Sequence, residues 1–208
     1  MSQPARVVFL HGLGETEHVW EPVAQRLPGV SARTLSLIDG SAQPWYLNST
    51  SERIARDLDA PVHLVGLSLG AVVALDLAAR YPEKVASLFL SAPQVHPPAG
   101  FMRTQIALLR LLPERLVGGD GVTKTQMLDT LKSLQDLDLR PQLSTMTVPV
   151  TVACGAKDRP NLRAARTVAA SIPRAHLEII PGAGHRWHVT HPDAFAAALA
   201  QHLQRWSL

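Results

Sequence analysis

The chain is short of several things, and each shortage excludes something. It has one cysteine, Cys154, among 208 residues. No intrachain disulfide is possible, so a reducing compartment is the expectation. No Cys/His cluster has zinc-site spacing, and neither a metal nor another cofactor is expected. Basic runs are missing too. Twenty Lys and Arg face 17 Asp and Glu for a net charge of +3, and they are dispersed. Nucleic acid is therefore not an expected partner. The longest apolar stretch, about 71–79, is broken by Asp76, so no membrane span is expected. Residues 1–6 lead directly into the apolar run 7–10. That run is too short for a signal-peptide core, which leaves a cytoplasmic location as the expectation.

What remains is 46% hydrophobic and 18% charged. That balance suits one globular domain with a full core. Short apolar runs at 7–10, 33–38, 62–65, 85–90, 150–153 and 177–180 read as six strands. Segments at 20–27, 51–59, 71–80 and 192–204 read as helices. Continuous apolar strands with helices between them predict an α/β fold with an open, mainly parallel sheet flanked by helices.

Residues 94–147 break the alternation. Pro93, Pro97 and Pro98 open the region. An apolar helix is expected at 101–112, a break at Gly118-Gly119-Asp120-Gly121, and a second helix at 124–136. The expected division is a core of 1–93 and 148–208 with a small helical cap, 94–147, inserted in it. Few positions of the 101–112 helix are polar, so it is expected to be buried or to line an apolar pocket. Simple packing against the sheet accounts for its composition as well.

Gly66-Leu67-Ser68-Leu69-Gly70 matches G-x-S-x-G between a strand and a helix. A serine in a strained strand-to-helix turn projects its hydroxyl from the strand end, and the glycines permit close packing. A plain Gly-Ser turn is the bland alternative. A serine hydroxyl needs a base, and the base needs an orienting acid. Asp158 follows the strand at 150–153, and His185 follows the Pro181-Gly182-Ala183-Gly184 turn. In a parallel sheet these strand ends share one edge, where ligands bind. Asp158 also suits a turn or helix cap before Pro160. His188 and His191 compete with His185, which is favoured by its place after the glycine turn.

His11-Gly12-Leu13-Gly14 follows the first strand. The backbone N–H groups of Leu13 and Leu69 are the expected oxyanion donors. His11 is expected to hold its loop by a hydrogen bond rather than to move a proton.

These residues resemble the α/β-hydrolase superfamily, in its lid-bearing, esterase-like branch. His11-Gly12 is similar to the family's oxyanion loop and Ser68 to its nucleophile. Val148-Pro149-Val150 through Asp158 is similar to its acid-bearing element. Gly184-His185, then His191-Pro192 and Phe195, is similar to its catalytic histidine and closing helix. A family segment near the site is reduced here to Leu37-Ile38-Asp39-Gly40-Ser41. The resemblance implies a Ser68–His185–Asp158 triad cleaving an ester or thioester of a small, largely apolar substrate through an acyl-enzyme. The same triad serves carbon–carbon bond hydrolases and lyases. A ligand-binding protein with slow turnover is the reading outside enzymes.

Overall fold

The structure is a computed structural model and describes residues 4–38, 44–117 and 122–206. The Asp39-Gly40-Ser41 stretch and the 118–121 break lie outside the described residues. Among the described residues, six strands run β1 Ala5–Leu10, β2 Val30–Leu35, β3 Val62–Leu67, β4 Val85–Ser91, β5 Val150–Gly155 and β6 Ala175–Ile180. All neighbouring pairs are parallel, in the order β2-β1-β3-β4-β5-β6. The helices are α1 Glu21–Ala24, α2 Leu47–Asp57, α3 Leu69–Arg80, α4 Ala99–Leu111, α5 Lys124–Ser133, α6 Arg140–Leu143, α7 Arg159–Ser171, α8 Trp187–Thr190 and α9 Pro192–Arg205.

The order places the chain reversal between β1 and β3. From β1 the chain steps outward to β2, then crosses back to β3 on the other side. The loops after β1 and β3 diverge there and leave a crevice at the carboxyl ends of the strands. His11-Gly12-Leu13-Gly14 and Ser68 flank that crevice. β5 is buried along its whole length, and β3 and β4 nearly so, whereas edge strands β2 and β6 are mostly half-exposed or exposed. This is the burial expected from continuous apolar runs in a covered parallel sheet.

Aromatic residues are only 5% of the chain, yet they gather. The Trp20 ring lies 5.2 Å from Phe9, tilted against it, and meets Phe195 edge-on at 5.2 Å. Phe195 in turn meets Trp187 at 4.3 Å and Phe89 at 5.3 Å. All five are fully buried. Their contacts join β1, β4, α8 and α9 around one centre.

Several elements depart from the pattern in the sequence. β2 lies three residues earlier than the 33–38 run suggests. Leu37 and Ile38 are buried beyond the strand's end, because Leu37 N–H donates to His11 Nε2 and Trp45 Nε1–H donates to the Leu37 carbonyl. Apolar character there marks a tethered loop. The 20–27 helix is a single turn, α1, entered through a 3-10 turn at Glu17–Trp20. α7 is an addition to the elements read from the sequence. Only Ala165 and Val168 of it are buried, so its apolar stripe is weak. Within α4, Met102, Ile106 and Leu109 are buried, but Leu108 is 58% and Leu111 82% exposed. The helix therefore has a solvent face despite its composition. No helix among the described residues is long and apolar enough to cross a membrane.

Candidate active site

Ser68 stands between β3 and α3 with φ 51° and ψ −108°. A non-glycine residue at positive φ is strained and holds only where its surroundings force it. Here the forcing is visible on both sides. Ser68 N–H donates to the Ser91 carbonyl at 2.9 Å, and its own carbonyl accepts from Val72 N–H at 3.1 Å. The glycines make the turn possible. A Cβ on Gly66 would strike the Gly70 backbone, and one on Gly70 would strike the Leu10 carbonyl. α3 therefore sits against the ends of β1 and β3 with no room for a side chain. Leu69 opens α3, so its N–H lies in the first turn, where no intrahelical acceptor exists.

Asp158 precedes α7 as its cap residue, but makes no side-chain cap bond. Its buried carboxylate turns to the next loop instead. His185 Nδ1 lies 2.6 Å from Asp158 Oδ2. The anionic carboxylate at 2.6 Å favours the tautomer with the proton on Nδ1, which leaves Nε2 basic, although Asn161 Nδ2 also lies 3.1 Å from Nδ1. Asn161 Nδ2 donates to Asp158 Oδ1 at 2.8 Å and to Oδ2 at 3.0 Å. The ring keeps a 38% exposed side chain. Gly155 lets the two loops meet, since a Cβ there would lie 2.5 Å from the carbonyl oxygens of Ala183 and Gly184. Lys157 N–H also donates to the Ala183 carbonyl at 2.9 Å.

A cavity of about 330 Å³ is lined by Ser68, Asp158, His185, Leu13 and Leu69 together. All five site residues expected from the sequence thus face one space. Asn161 lines it too, with Phe101 and Met102 of α4. A second cavity, about 430 Å³, reaches Ser68 and His185 from the side of Gly12 and Arg186. The rival histidines go elsewhere. His188 is fully buried, with Nε2 3.3 Å from Glu15 Oε1, and His191 begins α9. His11 is buried, accepts from Leu37 N–H at 3.0 Å and bonds the Gly12 carbonyl at 2.8 Å. Burial pushes its pKa down, which suits a neutral ring that holds the loop.

Two polar residues at the site were not singled out in the sequence. Asn161 carried a weak signal, lying three positions after Asp158 at a helix start. Glu15 carried none, because its partners are distant in the chain. Burial pushes the Glu15 carboxyl up, but the nearby His188 ring, the Arg186 guanidinium and the Gly12 N–H outweigh it and hold it at about 2. Burial pushes the Cys154 thiol up to about 12, with Asp158 adding to the rise, so it stays protonated. No group of three or more His, Cys, Asp or Glu among the described residues is arranged to hold a metal ion.

The model of the alpha/beta hydrolase family matches residues 7–198. The chain belongs to that family. The hydrolase is 27% identical to a pimeloyl-[acyl-carrier protein] methyl ester esterase of Neisseria meningitidis serogroup A, over 92% of this chain and 74% of the relative. A pimeloyl-[acyl-carrier protein] methyl ester esterase of Edwardsiella ictaluri is 28% identical, over 94% and 92% of the two chains. Among solved structures, a thermophilic esterase from Thermogutta terrifontis superposes with a TM-score of 0.83 at 18% identity. That superposition covers all of the hydrolase and 92% of the esterase chain, and it bears on the fold.

Proposed function

We propose that the protein hydrolyses a carboxylic ester of a small, largely apolar substrate by two-step acyl transfer at Ser68. The observation that carries this reading is the 2.6 Å contact between His185 Nδ1 and Asp158 Oδ2, made in a cavity that Ser68 shares. His185 Nε2 takes the Ser68 proton as Oγ attacks the ester carbonyl. Asp158 fixes the tautomer and stabilises the imidazolium. Leu13 and Leu69 N–H groups bind the tetrahedral oxyanion. The alcohol departs with the proton from His185. Water, deprotonated by His185, then attacks the acyl-enzyme, and the acid leaves as Ser68 regains its proton.

Residues 94–147 act in this reading as a small cap. Phe101, Met102, Leu134 and Leu137 give the cavity an apolar wall, which favours an alkyl acyl or alcohol group. The curated relatives, which are ester hydrolases by name, support the bond type.

The test is a panel of p-nitrophenyl esters and thioesters of graded chain length, assayed beside Ser68→Ala. Hydrolysis that disappears in Ser68→Ala is the expected result. Unchanged hydrolysis in that variant would end the proposal. Incorporation of solvent oxygen into the acid product separates hydrolysis from lyase chemistry on the same triad.

A further inference from the structure

Glu15 closes the loop that begins at His11, and its side chain is only 7% exposed. Oε2 accepts from Gly12 N–H at 3.0 Å. Oε1 accepts from Arg186 Nε at 2.7 Å and lies 3.3 Å from His188 Nε2. The two flanking partners are adjacent to the proposed machinery: Gly12 precedes Leu13, and Arg186 follows His185. One carboxylate thus joins segments 171 positions apart in the chain. The His188 ring is fixed in turn against Trp20, 4.7 Å between centroids.

A buried carboxylate is costly unless its neighbours satisfy it. This one is surrounded by a backbone donor, a guanidinium and an imidazole. Removing it leaves Gly12 N–H without its acceptor and lets the loop rotate. Removing its charge, with the shape kept, turns an amide N–H₂ toward either Gly12 N–H or Arg186 Nε–H, so one of the two donors loses its acceptor.

We infer that Glu15 is a positioning residue, whose carboxylate clamps the Gly12-Leu13 loop to the His185 segment and so aims the Leu13 N–H at the tetrahedral intermediate. The inference rests on the acyl-transfer reading above. A contact made in the transition state is separable from a purely structural role. A stabilising clamp alone changes how much protein is folded. A positioning clamp changes the rate per folded site.

The experiment compares wild type, Glu15→Gln, Arg186→Met and the double variant on one p-nitrophenyl ester. Rates are normalised to Ser68 titrated with a fluorophosphonate. An alkyl boronic acid, which forms a tetrahedral adduct with the serine, serves as the inhibitor. Glu15→Gln is expected to lower kcat about 10- to 100-fold, since small misplacements of a catalytic group cost that much. KM should stay within about twofold, as for an interaction made only in the transition state. Boronic acid affinity should fall in step with kcat. Arg186→Met should lower kcat by less, and the double variant should be no worse than Glu15→Gln, because the two residues act as one unit. Arg186 is largely exposed, so its variant decides the matter if Glu15→Gln does not fold. Unchanged kcat per titrated site and unchanged boronic acid affinity, with only a lower melting temperature, would overturn the inference. A wild type that neither cleaves esters nor labels at Ser68 would instead sink the acyl-transfer reading, and the inference with it.

Discussion

Asp158 reaches His185 with one carboxylate oxygen and Asn161 with both. The carboxylate is therefore pinned from the α7 side while it holds the imidazole on the far loop. Replacing it by Asn keeps the shape but presents an N–H₂ to Nδ1, which favours the wrong tautomer. Asp158→Asn should lower kcat about 10³- to 10⁴-fold, read as ester hydrolysis per folded molecule. Asn161→Ala should cost less, about tenfold, since it loosens the acid without removing it. Equal activity in Asp158→Asn and wild type would remove Asp158 from the proposed triad.

Phe101 and Met102 bear on chain length. Both line the cavity that holds Ser68. Phe101→Ala should reduce kcat/KM for a hexanoyl ester about 10-fold while changing an acetyl ester little, because each lost methylene contact is worth about 1–3 kcal/mol. A uniform loss across chain lengths would mean that α4 only packs.

Stability should depend on pH through buried histidines. His202 is buried and bonds Ser87 Oγ at 2.7 Å and Thr151 Oγ1 at 2.8 Å. Burial, with the charges of His63 and Arg205 adding to it, pushes its pKa down to about 3. The unfolded chain, with an ordinary histidine, binds its proton first as pH falls. Stability from this group is complete above about pH 6.5 and drains away towards pH 3, by a few kcal/mol. His11 and His63 shift in the same direction. Urea midpoints should therefore fall between pH 7 and pH 5, and the fall should shrink in His202→Gln. An identical slope in that variant would put the dependence elsewhere.

Gly70 is needed for space rather than for backbone freedom. A Cβ there would overlap the Leu10 carbonyl, which is backbone and cannot swing aside. Gly70→Ala should destabilise the fold by at least about 3 kcal/mol, at the upper end of overpacking costs. Thermal unfolding measures it. Wild-type melting in Gly70→Ala would show that α3 can lift off β1.

The fold class was legible in the chain because buried parallel strands are written as continuous apolar runs. β3, β4 and β5 stand where those runs lie, at 62–65, 85–90 and 150–153. Edge strand β2 was harder. It is half-exposed, so its apolar signal is weak, while Leu37 and Ile38 owe their burial to a loop tied down by His11 and Trp45. α7 was hidden for a similar reason, with few of its residues buried.

Ser68, Asp158 and His185 could be picked out singly because each follows a strand and is marked by local glycines or prolines. Short-range chemistry of that kind is carried by neighbouring residues. The strand order, the crevice between β1 and β3, and the contacts of Glu15 are not. Glu15 meets Arg186 and His188 only after the sheet has brought the ends of β1 and β6 to one edge. Nothing local distinguishes it from an exposed glutamate in a turn. Its burial and its ionised state arise from packing over distances that no motif spans.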